Sequence, residues 1–103
     1  MREGQVRAHL VKRVKEVGGE IRKVQWVGRK SAPDELVMLP AISPYHGDDG
    51  KSVFVELKAT GLAATFPNDA HERAQHREHE RMRKFGLRVV VIDSIEGVEE
   101  LLR

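Results

Sequence analysis

The sequence predicts a small α/β domain of order αβββαβα, with a mixed sheet flanked by helices. Three observations carry this. Val6, Leu10, Val14 and Val17 recur every three to four residues, the period of an amphipathic helix. Three short runs rich in Val, Leu and Ile follow, separated by glycine and proline. A long polar segment then leads to Val89-Val90-Val91-Ile92, as a helical crossover between parallel strands requires. The 103 residues suit one compact domain, residues 1–103, and a 40% hydrophobic content is enough for a single core.

The first helix is expected over Glu3–Val17, with Gly18-Gly19 as its stop. Glu20–Gly28 reads as a strand whose alternation is imperfect, with Val24 and Trp26 on one side and Ile21 and Val27 on the other. Trp26 is read as core. Arg29-Lys30-Ser31-Ala32-Pro33 is a basic loop, and Glu35–Leu39 is a second strand limited by Pro40. Residues 40–52 read as a long hairpin connection turning at Asp49-Gly50. Val53–Lys58 is the third strand. Ala59–Asn68 is a loop, and Asn68 or Asp69 caps a helix that ends near Phe85-Gly86. Leu87–Asp93 is the fourth strand, read as buried on both faces. Ser94 caps a short final helix reaching Leu102.

Composition narrows the function classes. There are no cysteines, which excludes disulfides and thiolate metal sites and gives no sign of an oxidising compartment. No apolar run approaches the roughly 20 residues that span a bilayer, and the first residues lack the apolar stretch of a signal peptide. A soluble, cytoplasmic protein is expected. The net charge of +2 and pI near 9.2 permit nucleic-acid binding without requiring it.

Chemistry concentrates in Pro33-Asp34 and Glu56-Leu57-Lys58. Side chains two apart on a strand share a face, so Glu56 and Lys58 point the same way. If Asp34 ends beside them, two carboxylates and an ammonium converge, as a magnesium-dependent phosphodiesterase requires. Magnesium takes oxygen ligands and keeps several waters, so Asp34, Glu56 and the Leu57 carbonyl form a sufficient set. Lys58 would position water and stabilise charge. On spacing alone, a solvated strand face with Asp34 in a turn fits equally well.

Gln75 shares a helical stripe with Glu78, His79 and Met82; facing inward it would lie near the carboxylates, and an ordinary solvated helix residue fits equally well. Glu3 opens the first helix, either as an outer metal or water ligand or simply as a first-turn carboxylate favoured by the helix dipole. Arg29 and Lys30 are the stronger DNA-contact candidates. Arg73, Arg77, Arg81, Arg83 and Lys84 on the long helix are balanced by Glu72, Glu78 and Glu80, and read as a solvated face. His76 and His79 lie three apart but lack an evident third zinc ligand. They are read as solvated helix histidines. Asp48-Asp49-Gly50 lacks the further oxygen ligands of a calcium loop and reads as a turn.

In this order, the residues resemble a stand-alone VRR-NUC domain, a branch of the PD-(D/E)xK restriction-endonuclease-like nucleases. The resemblance covers nearly the whole chain: the helix bearing Glu3, Gly18-Gly19, Pro33-Asp34, Val55-Glu56-Leu57-Lys58, Gln75 and the strand from Gly86 to Ile92. It departs where the family often has a glycine shortly before Pro-Asp, since Ser31-Ala32 stand there. The resemblance implies Mg²⁺- or Mn²⁺-dependent DNA hydrolysis by Asp34, Glu56 and Lys58, with Gln75 and Glu3 in support. It also implies a phage or bacterial source, a homodimer, and branched or four-way-junction DNA as substrate. The rival readings are a non-catalytic nucleic-acid-binding module on the same fold and a small assembly protein. Neither needs a carboxylate pair that repels phosphate.

Overall fold

A computed structural model describes residues 1–41 and 51–103. The expected Asp49-Gly50 turn, with Asp48 and His46, lies outside the described residues. The elements are α1 (Glu3–Glu16), β1 (Glu20–Lys23), β2 (Glu35–Leu39), β3 (Lys51–Leu57), α2 (Ala70–Lys84), β4 (Val89–Ile92) and α3 (Ile95–Leu101). The strands form one sheet in the order β1-β2-β3-β4. The first two pairings are antiparallel, and β3 pairs with β4 in parallel through the α2 crossover.

Val6, Leu10 and Val14 of α1 are fully buried, as their spacing predicts. They pack on Val37, Val53, Val55, Leu57 and Ile92 of the sheet and on Val98 and Leu101 of α3. This is the apolar face. Strand alternation sends Phe54, Glu56 and Lys58 to the opposite face, where α2 lies. Of the stripe read on α2, Gln75, Glu78, His79 and Met82 are all buried, so the inward orientation of Gln75 holds. His79 is fully buried, which corrects its reading as a solvated residue. The error is physical: the inward face of α2 is polar because it meets polar groups on the sheet.

The first strand is shorter than expected, ending at Lys23 rather than Gly28. The Val24 N–H still donates to the Asp34 carbonyl at 3.0 Å, after which the chain turns away with Gly28 and Ser31 at positive φ. Trp26 is half-buried and tilts against Phe54, with ring centroids 6.3 Å apart. It sits outside the apolar core cluster. The fourth strand is less enclosed than its sequence suggests. Val89 and Ile92 are buried while Val90 and Val91 are only partly so, because β4 is a sheet edge.

Gly18-Gly19 does more than stop α1. Gly18 takes φ +80°, and the Gly19 N–H donates to the Val14 carbonyl at 2.8 Å. A Cβ at Gly19 would lie 2.5 Å from the Met38 carbonyl oxygen of β2. Gly19→Ala must therefore push α1 off the sheet. We expect a loss of about 1–3 kcal/mol, in the range of overpacked cores, read as a lower Tm. An unchanged Tm would mean that this close approach does not constrain the fold.

Candidate active site

Asp34 stands one step before the Glu35–Val55 pair of the β2–β3 register, which puts it opposite Glu56 on the same face. The Leu57 N–H donates to Asp34 Oδ2 at 2.7 Å. The N–H and carbonyl of one extended residue point to the same side of its strand. The Leu57 carbonyl therefore also faces Asp34.

Glu56 is only 2% exposed. Its Oε2 accepts from Gln75 Nε2 at 3.3 Å, and its Oε1 lies 3.3 Å from His79 Nε2. Gln75 also looks the other way: its Oε1 accepts from Lys58 Nζ at 3.0 Å. Lys58 Nζ lies 3.1 Å from Glu72 Oε2 and 5.3 Å from the centroid of the Phe66 ring. Gln75 thus joins the two active strand residues through one side-chain amide.

Burial pushes the Glu56 carboxyl up to about 9, reinforced by hydrogen bonding and charge repulsion from Asp34 and opposed by the Lys58 ammonium. Burial is also the main cause that lowers His79 to about 4, with the positive charges of Arg83, His76 and Lys58 adding to it. His79 is therefore neutral at pH 7, and its Nε2 shares a hydrogen bond with Glu56. Its ring stacks on Phe66 at 5.6 Å.

An open cleft of about 280 Å³ adjoins Asp34, lined by Glu3, Arg7, Lys23, Pro33, Asp34 and Leu57 among others. Glu3 reaches it because the Thr60 N–H, just past Lys58, donates to the Met1 carbonyl at 3.0 Å and ties the start of α1 to the end of β3.

No family model matches the chain. It is 38% identical over 94 residues to a protein named "Putative nuclease p44" from Acyrthosiphon pisum secondary endosymbiont phage 1, covering 91% of this chain and 85% of that one. A solved structure described as a VRR_NUC domain superposes with a TM-score of 0.71 at 36% identity, over 97% of this chain and 92% of that one. The chain belongs to the VRR-NUC nuclease family.

The VRR-NUC fold brings Asp34, Glu56, Lys58 and Gln75 together and sets Glu3 at the rim. Arg29, expected at the DNA, also has a partner within the fold. Its guanidinium pairs with the buried carboxylate of Glu78 on α2 at 2.7 Å, while more than half the side chain stays exposed. Lys30 is exposed on the same loop.

Three participants escaped the sequence. Glu72 was read only as a charge-balancing residue, His79 as solvated, and Phe66 was not singled out. Periodicity was the available signal for His79, since it shares the stripe of Gln75. Nothing in local sequence marks Glu72 or Phe66 as a partner of Lys58, which lies on another element.

The donor set can be weighed against a divalent ion. Among the described residues, no three His, Asp or Glu side chains close around one point. Asp34, Glu56 and the Leu57 carbonyl are hard oxygen donors, and waters complete such a set for magnesium. The facing carboxylates repel each other until one takes a proton or a cation stands between them. The VRR-NUC site fits a hard divalent cation.

Proposed function

We propose that this VRR-NUC domain is a Mg²⁺- or Mn²⁺-dependent DNA endonuclease selective for branched DNA, four-way junctions among its substrates, acting as a homodimer in the cytoplasm. The observation that carries this reading is the buried Glu56 carboxyl facing the partly buried Asp34, with Lys58 beside it on the same face. Asp34, Glu56 and the Leu57 carbonyl would hold the ion, with Glu3 as an outer ligand to the ion or its water. When bound, a divalent ion neutralises phosphate charge and acidifies a water ligand. Lys58 aims an N–H at the attacking water or the phosphate oxygens, where negative charge grows in the transition state. Gln75 fixes Lys58 relative to Glu56. A resolvase makes two symmetric cuts, which a two-fold dimer supplies.

Cleavage of labelled four-way junction, flap, duplex and single-stranded DNA with Mg²⁺, Mn²⁺ or EDTA tests the reading. Metal-dependent cutting of the junction, lost in Glu56→Ala and Lys58→Ala, is expected. Cutting confined to another substrate would leave the chemistry and remove the junction preference. Folded protein that binds DNA and cuts nothing would point instead to the binding module. A monomer during sedimentation would remove the resolvase geometry.

Arg29 and Lys30 are assigned to the DNA backbone, with Glu78 bracing Arg29 from below. Each phosphate contact contributes about −0.9 to the slope of log K against log salt for duplex DNA. The double variant Arg29→Ala/Lys30→Ala is expected to flatten that slope by roughly 2, with kcat at saturating DNA little changed. An unaltered slope would take these residues out of the interface.

A further inference from the structure

We infer that Glu72 is a positioning residue for Lys58, converting the cap of α2 into an aiming device for the catalytic ammonium. The inference rests on the nuclease reading above. An ammonium has three N–H donors and no acceptor. Here Nζ donates to Gln75 Oε1 at 3.0 Å and is ion-paired with Glu72 Oε2 at 3.1 Å. The Phe66 ring packs against the ammonium. Between them, Gln75, Glu72 and Phe66 restrict the directions in which the ammonium can present a free N–H.

Glu72 is itself held from two sides. Its backbone N–H donates to the capping Asp69 Oδ1 at 2.8 Å, and its Oε1 accepts from the Asn68 N–H at 2.8 Å. One carboxylate oxygen thus closes the helix cap and the other receives Lys58. The side chains of Lys58 and Glu72 are 12% and 13% exposed. The pair is largely shielded from water, unlike an ordinary surface ion pair. A lysine stem has four rotatable carbons and much rotamer freedom. Without a fixed partner its N–H would sample many directions, and a small misplacement of a catalytic group costs rate steeply.

The bland alternative is that Glu72 is only a capping residue, and Glu72→Gln separates the two. Glutamine keeps an oxygen for the Asn68 N–H, but it presents an amide N–H₂ to Lys58, donor against donor. Asp69→Ala is the converse control, removing the cap oxygen while leaving the Glu72 carboxylate. Two readouts apply: kcat and KM for junction cleavage, and the ¹H–¹⁵N resonance of the Lys58 ammonium in metal-free protein. That resonance is visible only when the group is held and its exchange with water is slow.

Glu72→Gln is expected to keep Tm near wild type, lose the Lys58 resonance and lower kcat about tenfold with KM little changed. Asp69→Ala is expected to lower Tm while keeping the resonance and most of kcat. A Lys58 resonance that persists in Glu72→Gln overturns the inference, as does its loss without a fall in kcat. So does an equal fall in kcat in Asp69→Ala, which would assign the effect to the helix cap. A wild-type chain that shows the resonance but cuts no DNA would defeat the nuclease reading instead, and the catalytic use of Glu72 with it.

Discussion

Glu56→Gln is expected to abolish cleavage and, in metal-free buffer, to raise the Tm. The two effects share one cause. Glu56 is buried opposite Asp34, and burial, with Asp34 beside it, keeps it protonated in the folded chain up to about pH 9. A ligand that holds a divalent ion is worth several kcal/mol of transition-state stabilisation. At 1.36 kcal/mol per decade, the loss is roughly a thousandfold or more in kcat. Holding that proton above the unfolded titration range costs the metal-free fold stability, and glutamine keeps the shape with no proton to hold.

The pH dependence fixes the sign. Unfolded, Glu56 loses its proton near 4.5, while folded it keeps the proton up to about 9. Between those values the folded state binds more protons, so stability falls as pH rises. Wild-type Tm in EDTA should therefore decline from pH 5.5 to pH 8.5, and that of Glu56→Gln should decline less. Adding Mg²⁺ should raise the wild-type Tm, more at pH 8 than at pH 5.5, and leave the variant nearly unmoved. A variant less stable than wild type in EDTA at pH 8, or one that still gains from Mg²⁺, would remove Glu56 from the metal site.

These residues also mark what the sequence made legible. The apolar face was readable because burial there follows hydrophobicity: Val6, Leu10 and Val14 announce α1, and Val53, Val55 and Leu57 its partner strand. Asp34, Glu56 and Lys58 were readable through alternation on a strand and a resemblance in order. Gln75 was readable because a helical stripe fixes direction whatever the residue type. The rest depends on long-range contact. Glu72 has its capping role written locally, in the run from Asn68 to Glu72, but its second oxygen finds Lys58 across the fold. Arg29 looks like a free cation in a loop until Glu78, 49 residues away, is placed beneath it. The Glu20–Gly28 strand was read too long because Val24 and Trp26 are strand-formers, while positive φ at Gly28 and Ser31 turns the chain away.

His79 carries the largest expected effect on folding. It is fully buried and stacked on Phe66, and its Nδ1 has no partner among the described residues. Truncation to alanine leaves a ring-sized cavity, for which aromatic residues give about 3–5 kcal/mol. At roughly 4 °C or more per kcal/mol for a domain of this size, the Tm should fall by about 12 °C or more. His79→Phe keeps the ring and removes only the polar atoms, so it should retain most of the stability and change its pH dependence. Unfolded His79 takes up a proton near 6.5, and the folded residue resists until about 4. Across that window the unfolded state binds more protons, so wild-type stability drops as pH falls, by about 3 kcal/mol at most. The Glu56 slope opposes this between 4.5 and 6.5, so His79→Phe should gain stability relative to wild type towards pH 4.5. The same variant deprives Glu56 of its Nε2 hydrogen-bond partner. Partners that orient a metal ligand are commonly worth 10–100-fold in metal affinity or activity. The Mg²⁺ concentration for half-maximal cleavage should rise by about tenfold in His79→Phe, with the fold intact. An unchanged Mg²⁺ requirement would reduce His79 to a core residue that happens to touch the site.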